Sequence, residues 1–538
     1  MVLCILWACG GPGEPAEPPD LPPDFSLSDE LLCSTPQVGI DRFSEEAALR
    51  GLPAVSQIEP FIQAQVVAQD LDADGDIDLI FPSFADGRQE VHLNDGTGYF
   101  SSAGPIPPTP FGPPTGAIGA TDIDGDGRPD LFFATAPTIW LYPNIGGGAF
   151  GEPSVFYDEP SSGERYRYPT FSLGDADGDG DLDFAALAHE SADAGSPGDP
   201  PDEGPIDWEG TRDVLLLLED GAVDASVELH PAGNGTLSLV GTFTDRDRDG
   251  DADLLVPSDR DLSISFWRND GRGSDGLPNM VDDAADIHAN ILMDGMGVDS
   301  TDLNRDGLLD YCITDTGDPV CLLSDGAGGY IEGASAIGLV PAEPMSEIST
   351  IGWSLDFADL DHDGNVDCLQ SSGPLFDGPG SLIDWPDLVW QGHDDGHFED
   401  VTQEIGFGDL GPNFALATAD FDGDGWLDVI SLGPGEVPVL WMNQCGDEGW
   451  LDLELIGPPG NREGIGAIAT VVVGPRSLVR EMYTLRGQGQ GPSRLHFGLG
   501  EASEAELLRV EWPGGAVSEA ESVPGRRFVT VTHPSLLP

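Results

Sequence analysis

Residues 70–78 read DLDADGDID, and the same nine-residue grammar returns six more times. The other copies are DIDGDGRPD from Asp122, DADGDGDLD from Asp175, DRDRDGDAD from Asp245, DLNRDGLLD from Asp302, DLDHDGNVD from Asp359 and DFDGDGWLD from Asp420. Each copy sets oxygen donors at positions one, three and five, a Gly at six and an Asp at nine. Ca²⁺ takes six to eight oxygens at about 2.3–2.6 Å, and a tight Gly-hinged loop converges them. The spacing therefore predicts up to seven structural Ca²⁺ ions.

The expected donors follow loop by loop, with position seven offering its main-chain carbonyl. They are Asp70, Asp72, Asp74, Asp76 and Asp78; Asp122, Asp124, Asp126, Arg128 and Asp130; and Asp175, Asp177, Asp179, Asp181 and Asp183. The fourth loop offers Asp245, Asp247, Asp249, Asp251 and Asp253, and the fifth Asp302, Asn304, Asp306, Leu308 and Asp310. The last two offer Asp359, Asp361, Asp363, Asn365 and Asp367, then Asp420, Asp422, Asp424, Trp426 and Asp428. Asn304 brings a neutral oxygen to position three, so the fifth loop is expected to bind more weakly.

An EF-hand needs a bidentate Glu at loop position twelve and flanking helices. Here position twelve is Phe81, Phe133, Ala186, Val256, Ile313, Gln370 or Ser431, and no acid closes the site. Short apolar runs such as Leu79-Ile80-Phe81 and Leu254-Leu255-Val256 follow the loops and read as buried strands. The loop therefore joins two strands.

The loop starts step by 52, 53, 70, 57, 57 and 61 residues, a period that signals a repeat array of four-stranded units. A second mark follows most loops: LNDGTGYF from Leu93, LYPNIGGGAF from Leu141, FWRNDGRG from Phe266, LLSDGAGGY from Leu322 and VWQGHDDGHF from Val389. Asn or Asp beside Gly is hairpin-turn chemistry. A third mark recurs in IEGASAIGL from Ile331 and FEDVTQEIGF from Phe398, with an earlier copy at Phe43–Leu52. The expected fold is all-β: a seven-bladed β-propeller over residues 36–447 and a small C-terminal β-domain over 450–533. Acidic stretches near 189–212 and 270–290 are expected to be surface insertions.

These marks resemble the FG-GAP/VCBS repeats of integrin α-subunit propellers and of many secreted bacterial proteins. ADLDHDGNVD and ATADFDGDGWLD are most similar to the cartilage acidic protein group. The resemblance implies a propeller with structural Ca²⁺ in its blade loops. After residue 447, NREGIGA from Asn461, LHFGLG from Leu495 and VEWPGG from Val510 resemble the ASPIC/UnbV domain that follows such propellers. Eight arginines fall in this last part of the chain, against 21 basic residues in all.

The chain has 97 acidic residues and a formal charge of −76, and it stays strongly anionic even when loaded with calcium. Nucleic acid and anionic membranes would repel it, leaving protein or glycan partners. Leu6-Trp7-Ala8-Cys9-Gly10 resembles a lipobox, so residues 1–9 are expected to be a lipoprotein signal with a lipid anchor on Cys9. Residues 10–35, rich in Pro, Gly and acid, read as a flexible linker. The expected location is extracytoplasmic, either secreted or held at a cell surface as a monomer. Cys312 and Cys321 are expected to face each other across a hairpin.

Catalytic motifs are poor. GRGSDG from Gly271 sits in a hairpin slot rather than a βαβ unit, and the acids between His393 and His397 are turn residues. The favoured function is a non-enzymatic binding or adhesion scaffold. The alternative is a propeller enzyme acting on polysaccharide, distinguished by a deep pocket of convergent acids on the channel axis.

Overall fold

The computed structural model describes residues 21–34, 36, 43–53, 65–82, 89–109, 118–135, 138–158, 167–189, 212–219, 221–230, 237–260, 262–341, 351–373, 387–402, 404–405, 407, 413–433, 437–483 and 487–538. The lipobox cysteine Cys9 and residues 190–211 of the insertion expected near 189–212 lie outside these residues.

Every acidic loop joins two antiparallel strands in one register. The residue just before the first Asp pairs with the ninth: Gln69 with Asp78, Thr121 with Asp130, Gly174 with Asp183 and Thr244 with Asp253. The rule continues with Thr301 and Asp310, Ala358 and Asp367, and Ala419 and Asp428. Seven sheets share this pattern among the described residues. In the first, Val66–Gln69 is the inner strand, followed outward by Asp78–Pro82, Gln89–Asn94 and Phe100–Pro105. The molecule is a β-propeller whose inner strands surround an axial channel.

The sequence repeats put each sheet's outermost strand after its third, but the last sheet ends at Val439–Met442. Ser44–Glu45, from the early copy at Phe43–Leu52, supplies its missing edge by pairing antiparallel with Trp441 and Met442. A Cys33–Cys445 disulfide ties the same two ends. Cys312 and Cys321 are cross-strand partners joined by a second disulfide, as their hairpin position predicts, and Cys368 is a buried free thiol.

The C-terminal domain is a two-sheet sandwich. Gly449–Ile456 lies between Arg527–Thr532 and Arg494–Gly500 in one sheet; Ile468–Val473 and Glu504–Glu511 form the middle of the other. Leu451, Leu453, Val471, Leu508, Trp512 and Val529 fill its core, which runs on into Ile123 and Leu182 within the second and third acidic loops.

Two expectations need correction. The linker over 10–35 is not wholly flexible: Phe25–Leu27 forms an edge strand on Arg527–Thr532. Phe25-Ser26-Leu27 alternates apolar and polar residues, and Phe25 is buried; the surrounding Pro and acid obscured that short signal. Nor are residues 270–290 a surface insertion. Ser265–Arg272 and Pro278–Asp282 are the third and fourth strands of the fourth blade, and buried Asp283 receives hydrogen bonds from Arg246 and Arg268.

Candidate metal centres

One hydrogen-bond scheme shapes all seven acidic loops. The Gly N–H at position six donates to the position-one carboxylate in each, from Gly75 to Asp70 at 2.9 Å through Gly425 to Asp420 at 2.7 Å. The position-seven N–H donates to the position-five carboxylate, as Asp76 to Asp74 and Trp426 to Asp424. The chain thus coils around a point toward which its carboxylates turn. In at least five loops one oxygen from each of three acids falls within 4.8 Å of the others. The groups are Asp70, Asp72 and Asp78; Asp122, Asp124 and Asp126; Asp175, Asp177 and Asp183; Asp245, Asp247 and Asp249; and Asp359, Asp361 and Asp367. In the fifth loop Asn304 keeps the arrangement, its Oδ1 accepting from Asp306 N–H at 3.0 Å.

Position nine has a second task. Asp78 accepts from Leu71 and Asn94 N–H, Asp310 from Leu303 and Ser324, Asp367 from Leu360 and Gly392, and Asp428 from Phe421 and Asn443. It pins the loop to the third strand. Position seven points its side chain elsewhere: Trp426 is buried against His362, Arg128 pairs with Asp126, and Asn365 donates to Asp394. In these loops only its backbone is available to a cation, whereas Asp76, Asp181 and Asp251 bring a further carboxylate at the same position.

Position four escaped the sequence reading. It is left-handed in every loop, at Gly125, Gly178 and Gly423 but also at Ala73, Arg248, Arg305 and His362. The third-strand Asn was read as a turn former, and its larger part is between blades. Asn94 Nδ2 donates to Phe421 O, Asn144 to Leu71 O, Asn269 to Ala176 O and Asn443 to Leu360 O, each at position two of the preceding blade's loop.

Burial dominates the electrostatics of these acids. It pushes Asp78, Asp183 and Asp253 up to about 8, Asp130 and Asp310 to about 7, and Asp175, Asp245 and Asp302 to about 6. Asp359, Asp367, Asp420 and Asp428 are raised well above the ordinary range by burial and then by neighbouring carboxylates. Asp72 Oδ1, Asp177 Oδ1, Asp359 Oδ1 and Asp422 Oδ1 are buried without a hydrogen-bond partner. Oxygen-only donors, crowded like charges and unsatisfied buried carboxylates fit a hard divalent cation.

The C-terminal domain sits on this loop face. Leu182 N–H donates to Gly460 O, Asp245 N–H to Glu481, Gly500 N–H to His362 O, and Arg476 to Asp363 O. His496 Nε2 lies 3.1 Å from Gly425 O. One stretch goes further, into the axial channel. Ser493 meets Gln69 at the loop end of an inner strand, and Gln490 bonds both N–H and C=O of Ala120. Gly489–Gln490 then pairs parallel with Val66 and Val67, and Gln488 N–H donates to Ser354 Oγ. A Cβ on Gly489 would lie 1.8 Å from Leu416 O, so only glycine fits there. This plug carries no apolar periodicity, which is why sequence patterning passed over it.

Residues 70–133, 122–186, 245–313, 302–369 and 381–470 match the FG-GAP-like repeat, together more than half of the chain. The chain belongs to the FG-GAP-like repeat family. Residues 457–536 of this FG-GAP protein match the ASPIC and UnbV domain. Comparison with curated proteins returns no match. Among solved structures, an Agrocybe aegerita lectin recognising non-reducing terminal N-acetylglucosamine is 15% identical, with a TM-score of 0.43 over 70% of this chain and 87% of that one. A Penicillium chrysogenum α-L-arabinanase complexed with arabinobiose is 11% identical, with a TM-score of 0.37 over 72% and 97%. The Dos1 propeller is 9% identical, with a TM-score of 0.36 over 69% and 77%.

Proposed function

We propose that this FG-GAP protein is a calcium-stabilised, non-enzymatic scaffold that presents the face opposite its acidic loops to a protein or glycan partner. The observation that carries the reading is the set of buried carboxylate oxygens left without hydrogen bonds in the loops. Position-one, position-three and position-five or position-nine acids would hold each ion, with the position-seven carbonyl. Bound there, Ca²⁺ supplies charge neutralisation and cross-linking. The protein's own part is to keep the loop coiled through Gly six and to transmit that shape to the third strand through Asp nine.

The axial plug favours a scaffold over a polysaccharide-active enzyme. Gly487–Ser493 runs along inner strands where an axial catalytic pocket would lie, and the cavity that remains beside it is lined by Asp420, Asp452, Glu481, Tyr483 and His496. Two disulfides fit an oxidising, extracytoplasmic compartment. No helix among the described residues is long and apolar enough to cross a membrane. Attachment through lipidated Cys9 is part of the proposal, tested by detergent partitioning of the full chain against Cys9→Ser.

Glycan and protein arrays probed with the purified chain, in excess calcium and in excess chelator, test the main reading. Saturable binding that chelator abolishes is expected. Turnover of a polysaccharide in place of simple retention would replace the scaffold by the enzyme.

A further inference from the structure

We infer that the acidic loops four to seven form a relay in which each loop's position-four side chain orders the next loop, so that these sites fill with calcium cooperatively. The inference rests on the calcium reading.

Three contacts carry it. Arg248, at position four of the fourth loop, donates through Nη2 to Gly307 O at 2.9 Å, position six of the fifth loop. Arg305, at position four of the fifth, donates through Nη2 to Asn365 Oδ1 at 2.6 Å, position seven of the sixth. It also donates to Asp394 O and His393 O, on the hairpin beside that loop. His362, at position four of the sixth, stacks on Trp426, position seven of the seventh, with centroids 3.8 Å apart and planes 26° off parallel. Each contact therefore lands on or beside the residue whose main-chain carbonyl the next ion would use.

The remaining loops supply the contrast. Position four is Ala73, Gly125 and Gly178 in the first three, with no side chain able to span the gap, and Gly423 ends the series in the seventh. Arg248, Arg305 and His362 adopt left-handed backbone at φ of 57°, 63° and 57°, a conformation that glycine takes at no steric cost. Glycine would satisfy the loop; a long side chain there serves something outside it.

Filling one loop fixes its coil, and the coil fixes where position four projects. The next loop then has its seventh residue held before its own ion arrives, so ordering it costs less. Lower ordering cost for the second ligand is positive cooperativity without a change of fold.

The test is calorimetric titration of the full-length, metal-stripped protein with Ca²⁺, alongside Arg305→Gly, Arg248→Gly and the control Ala73→Gly. All three replacements keep the left-handed backbone, and matching circular dichroism in excess calcium confirms folding. The parent should bind with a Hill coefficient above one. Arg305→Gly should lower it without abolishing it, since the fourth–fifth and sixth–seventh contacts remain, and should weaken uptake by the sixth loop about fivefold or more. Ala73→Gly should leave the slope unchanged. Uptake that is non-cooperative in the parent, or a slope that Arg305→Gly leaves intact, overturns the relay while calcium binding stands. No calcium uptake at all removes the metal reading itself.

Discussion

The propeller and the C-terminal sandwich both bury acids, but they satisfy them by different means. In the sandwich, Glu463 receives hydrogen bonds from Thr121 and Ser493, and Glu481 from Thr244 and the Asp245 N–H. In the propeller the acids face one another, and several buried oxygens have no donor. One region closes its polar accounts with protein groups, whereas under the calcium proposal the other relies on an ion from outside. Stability in a single chain is therefore divided between an intrinsic part and a conditional one.

The largest effect should come from removing that ion. At 4 Å a like-charge pair costs about 4 kcal/mol at an effective dielectric of 20. A filled site at hundredfold excess over Kd adds about 2.7 kcal/mol. Chelation should lower the melting temperature by about 10 °C or more. Hydrogen exchange should show the inner strands Val66–Gln69 and Ala415–Ala419 losing protection before the sandwich strands Glu504–Glu511 and Val517–Pro524. Equal loss in both regions would break the comparison.

Next in size is a pH effect with opposite signs in the two metal states. Without metal, the raised loop carboxyls keep protons between about pH 4 and 8 that the unfolded chain has released. Folded-state proton excess means that stability falls as pH rises through this window and returns on acidification. Buried His92 and His496, held down to about 4 and 3, act the other way below about pH 6.5 and limit the gain. Metal-stripped protein should thus melt several degrees higher near pH 5 than near pH 8. Excess calcium, which competes with those protons, should cancel or reverse the trend. A metal-free melting temperature that climbs steadily from pH 5 to 8 would contradict the assignment of these acids.

Smaller effects sharpen the boundary between the regions. Gly489→Ala forces a methyl group against Leu416 O and should cost about 1–3 kcal/mol. Its loss should be felt in the propeller although the residue belongs to the C-terminal domain, read as faster proteolysis of the two together. Asn443→Ala leaves Leu360 O and Leu427 O without their amide donor and should cost about 2 kcal/mol in chemical denaturation. Ser324→Ala, at the matching place in the fifth blade, should cost less than about 0.5 kcal/mol because no amide spans the blades there.

Much of this was legible in the sequence, for a physical reason. A loop that wraps a cation fixes polar residue types at set intervals, and the strands around it must be apolar, so both repeat visibly. The ninth Asp was legible as a member of the loop but not as the group that pins the third strand, since one residue type serves both ends. Position four was hidden because its demand is conformational, and only Gly125, Gly178 and Gly423 advertise it. The third-strand Asn looks the same whether it makes a turn or spans two blades. The Gly487–Gln490 plug gave no signal, because a segment that bonds to strand backbones needs small residues and amides rather than an apolar stripe.

The pairing of Ser44–Glu45 with the last blade has a consequence for the order of events during synthesis. The residues that finish the ring are made roughly 400 positions before those they join. Phe25–Leu27 waits longer still, for a strand that ends at Thr532. A chain stopped before Val439–Met442 holds an open ring, and one stopped before Arg527–Thr532 leaves Phe25–Leu27 unpaired. Closure of the ring is thus registered at its earlier-made edge, which stays uncommitted until the last blade has followed.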